Sequence, residues 1–234
     1  MSTHRGPVLP YTVVAGITPW GRRWVCASAK VSGSVFAPEP PKIYESFQEI
    51  LDEHPSFQAI VVNAPIGYRD DASEARRTCD LEARALLGRR ARALRYAPTR
   101  GTLFGETVIE RLDAASRVML PSLREVAAEA SPYRQRTVFE GSPELSFYQL
   151  NGETALRHSK RTEAGRDERR DILVEKVRDI ERVLDAEMNG VPVKHVLDAS
   201  ALLWSARRVT VHAARRIPRD AEWDSEGVRM ELVF

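Results

Sequence analysis

The run Ala59-Ile60-Val61-Val62 narrows the fold more than any other feature of the chain. It is continuously apolar and largely β-branched, without the in–out alternation of a strand wetted on one face. It also follows a segment with helical spacing. A strand of this kind belongs inside a sheet with parallel neighbours, and such a sheet needs helices on both faces. The run stops at Asn63-Ala64-Pro65-Ile66-Gly67. A polar residue at the end of a buried strand, before a Pro–Gly turn, either satisfies local backbone or enters a cleft.

The remaining pattern supplies the partners. Residues 12–19 and 22–31 read as two strands joined by a tight turn, and 33–38 as a third that completes a meander. Apolar residues at 43, 47, 50 and 51, after Pro41, predict a helix over 41–54, followed by the strand at 57–63. A helix over 74–88 is expected, capped by Ser73 and ended by Gly88. Further helices are expected at 104–119, 121–130, 144–150, 162–188 (capped by Thr162) and 195–215, with strands at 136–145 and at the closing "VRMELVF". A meander, a helix, a strand, helices, a strand and helices specify an α/β fold. The expected architecture is an RNase H-like mixed central sheet, an antiparallel meander plus parallel strands, flanked by helices. Residues 1–11 read as an N-terminal extension and 12–234 as one domain.

Composition excludes several classes. The chain has 234 residues, 43% apolar and 29% charged, and no stretch of about 18 uncharged apolar residues that would span a membrane. The first residues lack the apolar core of a secretory signal. Cys26 and Cys79 are too few for a disulfide framework and read as buried thiols of a cytoplasmic protein. The net charge of +2 is uninformative, but its distribution is not. Between Glu74 and Arg100 lie eight arginines against three acids, and no lysine. Arg76, Arg77, Arg84 and Arg100 of this run are candidate phosphate contacts, because guanidinium binds phosphate through a planar fork. A solvated, charged helix face is the alternative.

Polar residues at strand ends or inside apolar runs are Thr18, Asn63, Glu140 and Asp198, with Glu144 one turn beyond Glu140. Carboxylates gathered at the ends of central strands repel one another unless a hard cation bridges them, and Mg2+ or Mn2+ takes oxygen ligands. Two such ions could activate water and stabilise an in-line phosphoryl displacement. Each residue has a plainer reading: Glu140 paired with an arginine, Asp198 capping the last helix, Thr18 a simple β-former, Asn63 a turn residue. Lys160 precedes the helix capped by Thr162, an anion-friendly place, or merely flanks it.

Taken in order, "VVAGITPWGRRWVCA", "VVNAPIGYRDD", "EARRTCDLEARALLG", "VFEGSPELSFYQLNG", "SKRTEAGRDERRDIL", "VLDASALLWSARRV" and "GVRMELVF" resemble the blocks of a widespread microbial family of unknown function, over roughly residues 12–234. Its members are described as predicted RNase H-like nucleases. The resemblance implies that Glu140, Glu144 and Asp198 are catalytic, with Glu140 and Asp198 holding Mg2+ or Mn2+. The family pattern has Asp at Thr18 and Asn63, and often His at Ser142, so these three are degenerate positions here. Losing one catalytic aspartate worth ~3 kcal/mol costs roughly a hundredfold in rate. The expectation is therefore a nuclease-family protein with weakened or lost metal-dependent phosphodiester hydrolysis. The alternative is a non-catalytic module binding nucleic acid, a nucleotide or a protein.

Overall fold

The protein is described by a computed structural model covering residues 10–71, 76–105 and 114–234. β1 (Thr12–Trp20), β2 (Arg23–Ser32) and β3 (Val35–Tyr44) form the antiparallel meander. After α1 (Phe47–Leu51), β4 (Phe57–Val62) returns parallel to β1, and β5 (Val138–Glu140) lies parallel to β4. The sheet order is β3-β2-β1-β4-β5, so β1 and β4 are interior, as the apolar run at 59–62 requires. This mixed sheet flanked by helices is the RNase H-like arrangement.

One face is covered by α8 (Val193–Thr210), whose Ala199, Leu202 and Leu203 pack with Val14, Val25, Val61 and Phe139. The seat for α8 is Gly16, where a Cβ would stand 2.0 Å from the Leu203 amide nitrogen and 2.2 Å from the Ala199 carbonyl oxygen. Only a residue without a side chain lets helix and strand backbones approach this closely. The opposite face carries α1 and α4 (Ala114–Glu129) against Ile17, Ile60, Val62 and Val138. Glu125 of α4 ties them down, accepting from the Trp24 indole at 2.9 Å and the Phe47 amide at 2.8 Å. α2 (Thr78–Leu87) packs on a two-stranded ribbon, β6 (Arg216–Trp223) with β7 (Arg229–Val233).

Several boundaries differ from the sequence reading. β3 runs to Tyr44, and its Pro38, Pro40 and Pro41 fit because among the described residues it is an edge strand, bonded only to β2. The helix starts later, at the Ser46 cap, whose hydroxyl accepts from the Glu49 amide. The helix expected at 74–88 is α2, shorter, and does end at Gly88, whose φ of +50° suits glycine; the Ser73 cap lies outside the described residues. α3 (Arg100–Phe104) was not expected, and part of the 104–119 segment is undescribed. α4 runs through Pro121 rather than stopping there, held by buried Leu120, Leu123 and Val126. The strand expected at 136–145 is only β5, and α5 (Pro143–Leu150) follows at once. The 162–188 helix is two, α6 (Glu163–Lys176) and α7 (Glu181–Leu184), broken where Val177 turns extended. Buried Leu173, Val177, Ile180 and Val183 continue the apolar stripe across the break. α8 ends at Thr210, and the charged segment beyond it forms the unforeseen β6.

Candidate functional site

The C-terminal ends of β1, β4 and β5 lie in register, Ile17 beside Val62 and Val62 beside Glu140. Thr18, Asn63 and Glu140 therefore share one edge of the sheet. They do not share a face. Side chains alternate along a strand, and Ile17, Val62 and Val138 all point toward α1 and α4. Thr18 and Asn63, one residue beyond Ile17 and Val62, point toward α8, and Glu140, two beyond Val138, points away from it. A hydrogen bond from the Asn63 amide nitrogen to the Thr18 hydroxyl oxygen, 3.0 Å, agrees with this parity.

α8 brings two more groups to the Thr18 side. Gly16 lies under Ala199–Leu203, and the Pro19 backbone acts on the His195 imidazole, so the start of α8 overlies the end of β1. Asp198 stands between these contacts, in the second turn rather than at the cap, which is Pro192. Its Oδ2 accepts from Lys160 Nζ at 2.5 Å, while its buried Oδ1 has no partner among the described residues. His195 Nδ1 is likewise buried without a partner. Burial, then the charges of Lys194 and Lys160, push the His195 pKa down to about 4. His195 was missed in the sequence, although its i, i+3 spacing to Asp198 places both on one helix face.

Below the sheet, Glu140 belongs to a buried ion cluster. Arg77 donates to it at 2.9 and 2.7 Å, and the Ile66 amide adds a bond of 2.9 Å. Arg77 also binds Asp80 at 3.1 and 2.7 Å and the Gly67 carbonyl at 2.8 Å. Burial works against the Arg77 charge, but Glu140, with Asp80, outweighs it and holds the guanidinium pKa well above its usual value. Burial pushes Glu140 up despite Arg77, since one cation is shared by two acids. All five Arg77 N–H groups are thus committed inside the protein. Arg77 therefore has no N–H left over for a phosphate.

The other expected residues are placed as follows. Glu144, in the first turn of α5, accepts two bonds from Arg169 Nη2 at 2.9 and 3.0 Å, with Arg169 itself fully buried. Ser142 occupies the cap position of α5 without a side-chain capping bond. Arg84 spends Nη1 on the Ala91 and Leu94 carbonyls, and Arg100 sits among Asp224 (3.0 Å), Glu226 (2.8 Å) and Asp70 (3.5 Å). Arg100 therefore presents no free fork to a ligand, and Arg84 has Nη1 already spent. Arg76 is exposed, stacked 4.0 Å from the Tyr96 ring centre. Cys26 and Cys79 are buried free thiols.

The fit to Mg2+ or Mn2+ can now be tested on the donors. Glu140 and Asp198, read as joint ligands, face opposite sides of the sheet, and Glu144 is closed off by Arg169. Among the described residues no group of three or more His, Cys, Asp or Glu side chains is arranged to hold a metal. On the α8 side the donors are one carboxylate already neutralised by a lysine, a hydroxyl and an amide. Mg2+ dehydrates reluctantly and needs anionic oxygen, so this set does not fit a two-ion clamp.

The structure is similar to the Thermus thermophilus RuvC structure, at 15% identity over 86% of this chain and 98% of that one, with a TM-score of 0.41. It is also similar to T. thermophilus RuvC in complex with a Holliday junction substrate, at 16% identity over 86% and 97% of the two chains, with a TM-score of 0.38. Sheet order and register, rather than these distant likenesses, define the fold. Among the described residues no helix is long and apolar enough to cross a membrane. No curated protein matches the sequence. Residues 16–223 match the profile of DUF429, described as a protein of unknown function, and the chain belongs to that family.

Proposed function

We propose that the edge formed by the ends of β1 and β4 and the start of α8 has exchanged a cation-binding role for an anion-binding one. On this reading the protein is a nuclease-family member that binds the phosphate backbone of nucleic acid without hydrolysing it. The observation that carries the reading is the Lys160–Asp198 contact of 2.5 Å. The carboxylate that would ligate a metal positions an ammonium instead. Lys160 keeps part of its surface open, at 29% exposure, so it can meet a ligand while Asp198 holds it.

The surroundings favour an anion. Lys194 and Lys160 both act on His195, so two ammonium groups converge on this edge. The β1–β2 turn beside Pro19 adds exposed Arg22, and Arg23 stacked 4.0 Å from the Trp20 ring centre. A spread of cations with an aromatic ring suits a polymer of phosphates better than one small anion. The chain's own residues then bind and orient a strand, and among the described residues no cluster of carboxylates is arranged to hold a metal.

The test is fluorescence anisotropy with labelled single-stranded and duplex DNA and RNA, beside a cleavage assay with Mg2+ or Mn2+. Salt-sensitive binding, no product, and weaker binding by Lys194→Ala/Arg22→Ala are expected. Metal-dependent cleavage that disappears in Asp198→Asn would overturn the reading. That outcome is the second reading, residual hydrolysis, and the unpartnered buried Asp198 Oδ1 is the observation in its favour.

A further inference from the structure

The arginine run divides in the fold into an internal set and an external one. Arg77 and Arg100 are engaged by protein carboxylates, and Arg84 is held by its Nη1 bonds to carbonyls and its stack on Tyr96. Arg76, Arg89 and Arg92 are exposed, and among the described residues no ion pair or hydrogen bond takes up their guanidinium groups. From this division we infer a second nucleic-acid contact surface, separate from the strand-end edge: Arg76, Arg89 and Arg92 bind successive phosphates, and Tyr96 holds the surface in shape. The inference rests on the ligand being nucleic acid, as proposed above, and adds a surface that reading does not use.

Local geometry makes these arginines a patch. α2 ends at Gly88, and its positive φ turns the chain into a 3-10 turn, Gly88–Ala93. In a 3-10 turn, side chains three residues apart eclipse and rise about 6 Å along the axis. Arg89 and Arg92 therefore project in parallel, at a separation comparable to that of neighbouring phosphates on a strand. The chain then folds back, and the Ala97 amide donates to Asp80 at 3.0 Å. That return brings the Tyr96 ring under Arg76 (4.0 Å) and Arg84 (4.4 Å). Arg84 is pinned by the Ala91 and Leu94 carbonyls, so it fixes the turn and the ring together. Stacking on a fixed ring restricts the Arg76 side chain, which lowers the entropy lost when it binds.

Charge points to the partner. Between residues 76 and 96 the only acids are Asp80 and Glu82, and Asp80 is buried against Arg77. The outward field is therefore nearly all positive, and all of it is guanidinium. A face meant only for solubility mixes signs. An arginine-only face matches the planar geometry of phosphate.

The experiment measures binding of labelled single-stranded DNA, duplex DNA and single-stranded RNA by the full chain across 50–200 mM salt, a range chosen from the known salt response of such contacts. Two lost phosphate contacts make the log–log salt slope shallower by about 1.4–1.8. Across that fourfold change in salt, wild type should lose roughly 7- to 12-fold more affinity than Arg89→Ala/Arg92→Ala. Tyr96→Leu should weaken binding as Arg76→Ala does, while Tyr96→Phe keeps the stack and wild-type affinity. Thermal melts of the Arg89/Arg92 variant should overlay wild type, because both side chains are exposed. If this variant binds with wild-type affinity and slope while Lys194→Ala/Arg22→Ala is weakened, the second surface is refuted and the strand-end reading stands. The reverse pattern upholds the second surface and refutes the strand-end one. A wild type that binds none of the three nucleic acids, or only anionic lipid vesicles, overturns both.

Discussion

Removing one charge from the cluster below the sheet separates a structural carboxylate from a metal ligand. Arg77 is 3% exposed, and its partners Asp80 and Glu140 are 2% and 5% exposed. Arg77→Met leaves two buried carboxylates with no cation between them, and breaking a buried pair this way costs about 3–5 kcal/mol. Glu140→Gln is milder: Asp80 still holds Arg77, and the amide oxygen can still accept from Ile66. Losing hydrogen bonds to a charged group there should cost roughly 1.5–3 kcal/mol. A protein of this size shifts by about 2–4 °C per kcal/mol, so Arg77→Met should melt about 6–20 °C lower. It should nevertheless fold, since a domain has about 5–15 kcal/mol to lose. The double variant should be less damaged than the sum, with a coupling of roughly 1–3 kcal/mol, because deleting Glu140's charge removes part of the penalty. Urea unfolding of the four proteins closes the cycle, and a Mg2+ titration of their melting temperatures runs beside it. The ion-pair role of Glu140 is refuted if Glu140→Gln lies within about 0.5 kcal/mol of wild type and abolishes a Mg2+-dependent rise in melting temperature that wild type shows. Glu140 would then be a ligand and not an ion-pair partner.

Three other outcomes are expected. Gly16→Ala puts a methyl 2.0 Å from the Leu203 nitrogen, so α8 must lift from β1; a loss of about 3 kcal/mol or more in urea unfolding is expected, and a loss under about 1 kcal/mol would show that the contact is slack. The His195 pKa falls from 6.5 to about 4, so the unfolded chain takes up a proton first as pH falls. Its contribution is full above pH 6.5 and declines toward pH 4, by about 2 kcal/mol after allowance for partial exposure, and His195→Gln should remove that part of the pH slope in urea unfolding. Thr18→Asp/Asn63→Asp places two carboxylates on the same face as Asp198. The variant should melt below wild type without metal and be raised by Mg2+. No rise, with no Mg2+ heat in calorimetry, would mean that more than two side chains separate this edge from a metal site.

The sheet was legible because its signals are local. Alternation in β2 and the unbroken Ala59–Val62 run carry strand type, and the latter interior placement, without reference to any partner. The prolines of β3 hid its length, since an edge strand tolerates them and a central one does not, and edge status is a property of the sheet. The stripe through Leu173, Val177, Ile180 and Val183 hid the α6–α7 break, because burial continues whether or not the helix does. The faces that the site residues present were not legible for a related reason. Thr18, Asn63 and Glu140 were correctly read as strand-end residues, but the face that each strand end presents is set by register with its neighbours. A shift of one residue turns a side chain to the other side of the sheet. Ile17 pairs with Val62, and Val62 with Glu140, so Glu140 is one residue out of phase with Thr18 and Asn63. That offset sends it to Arg77 and leaves Asp198 to Lys160. Each of the three acids expected to gather around a metal has its own cation: Arg77, Arg169 or Lys160. Those basic partners lie 63, 25 and 38 residues away along the chain, too far for spacing to announce them.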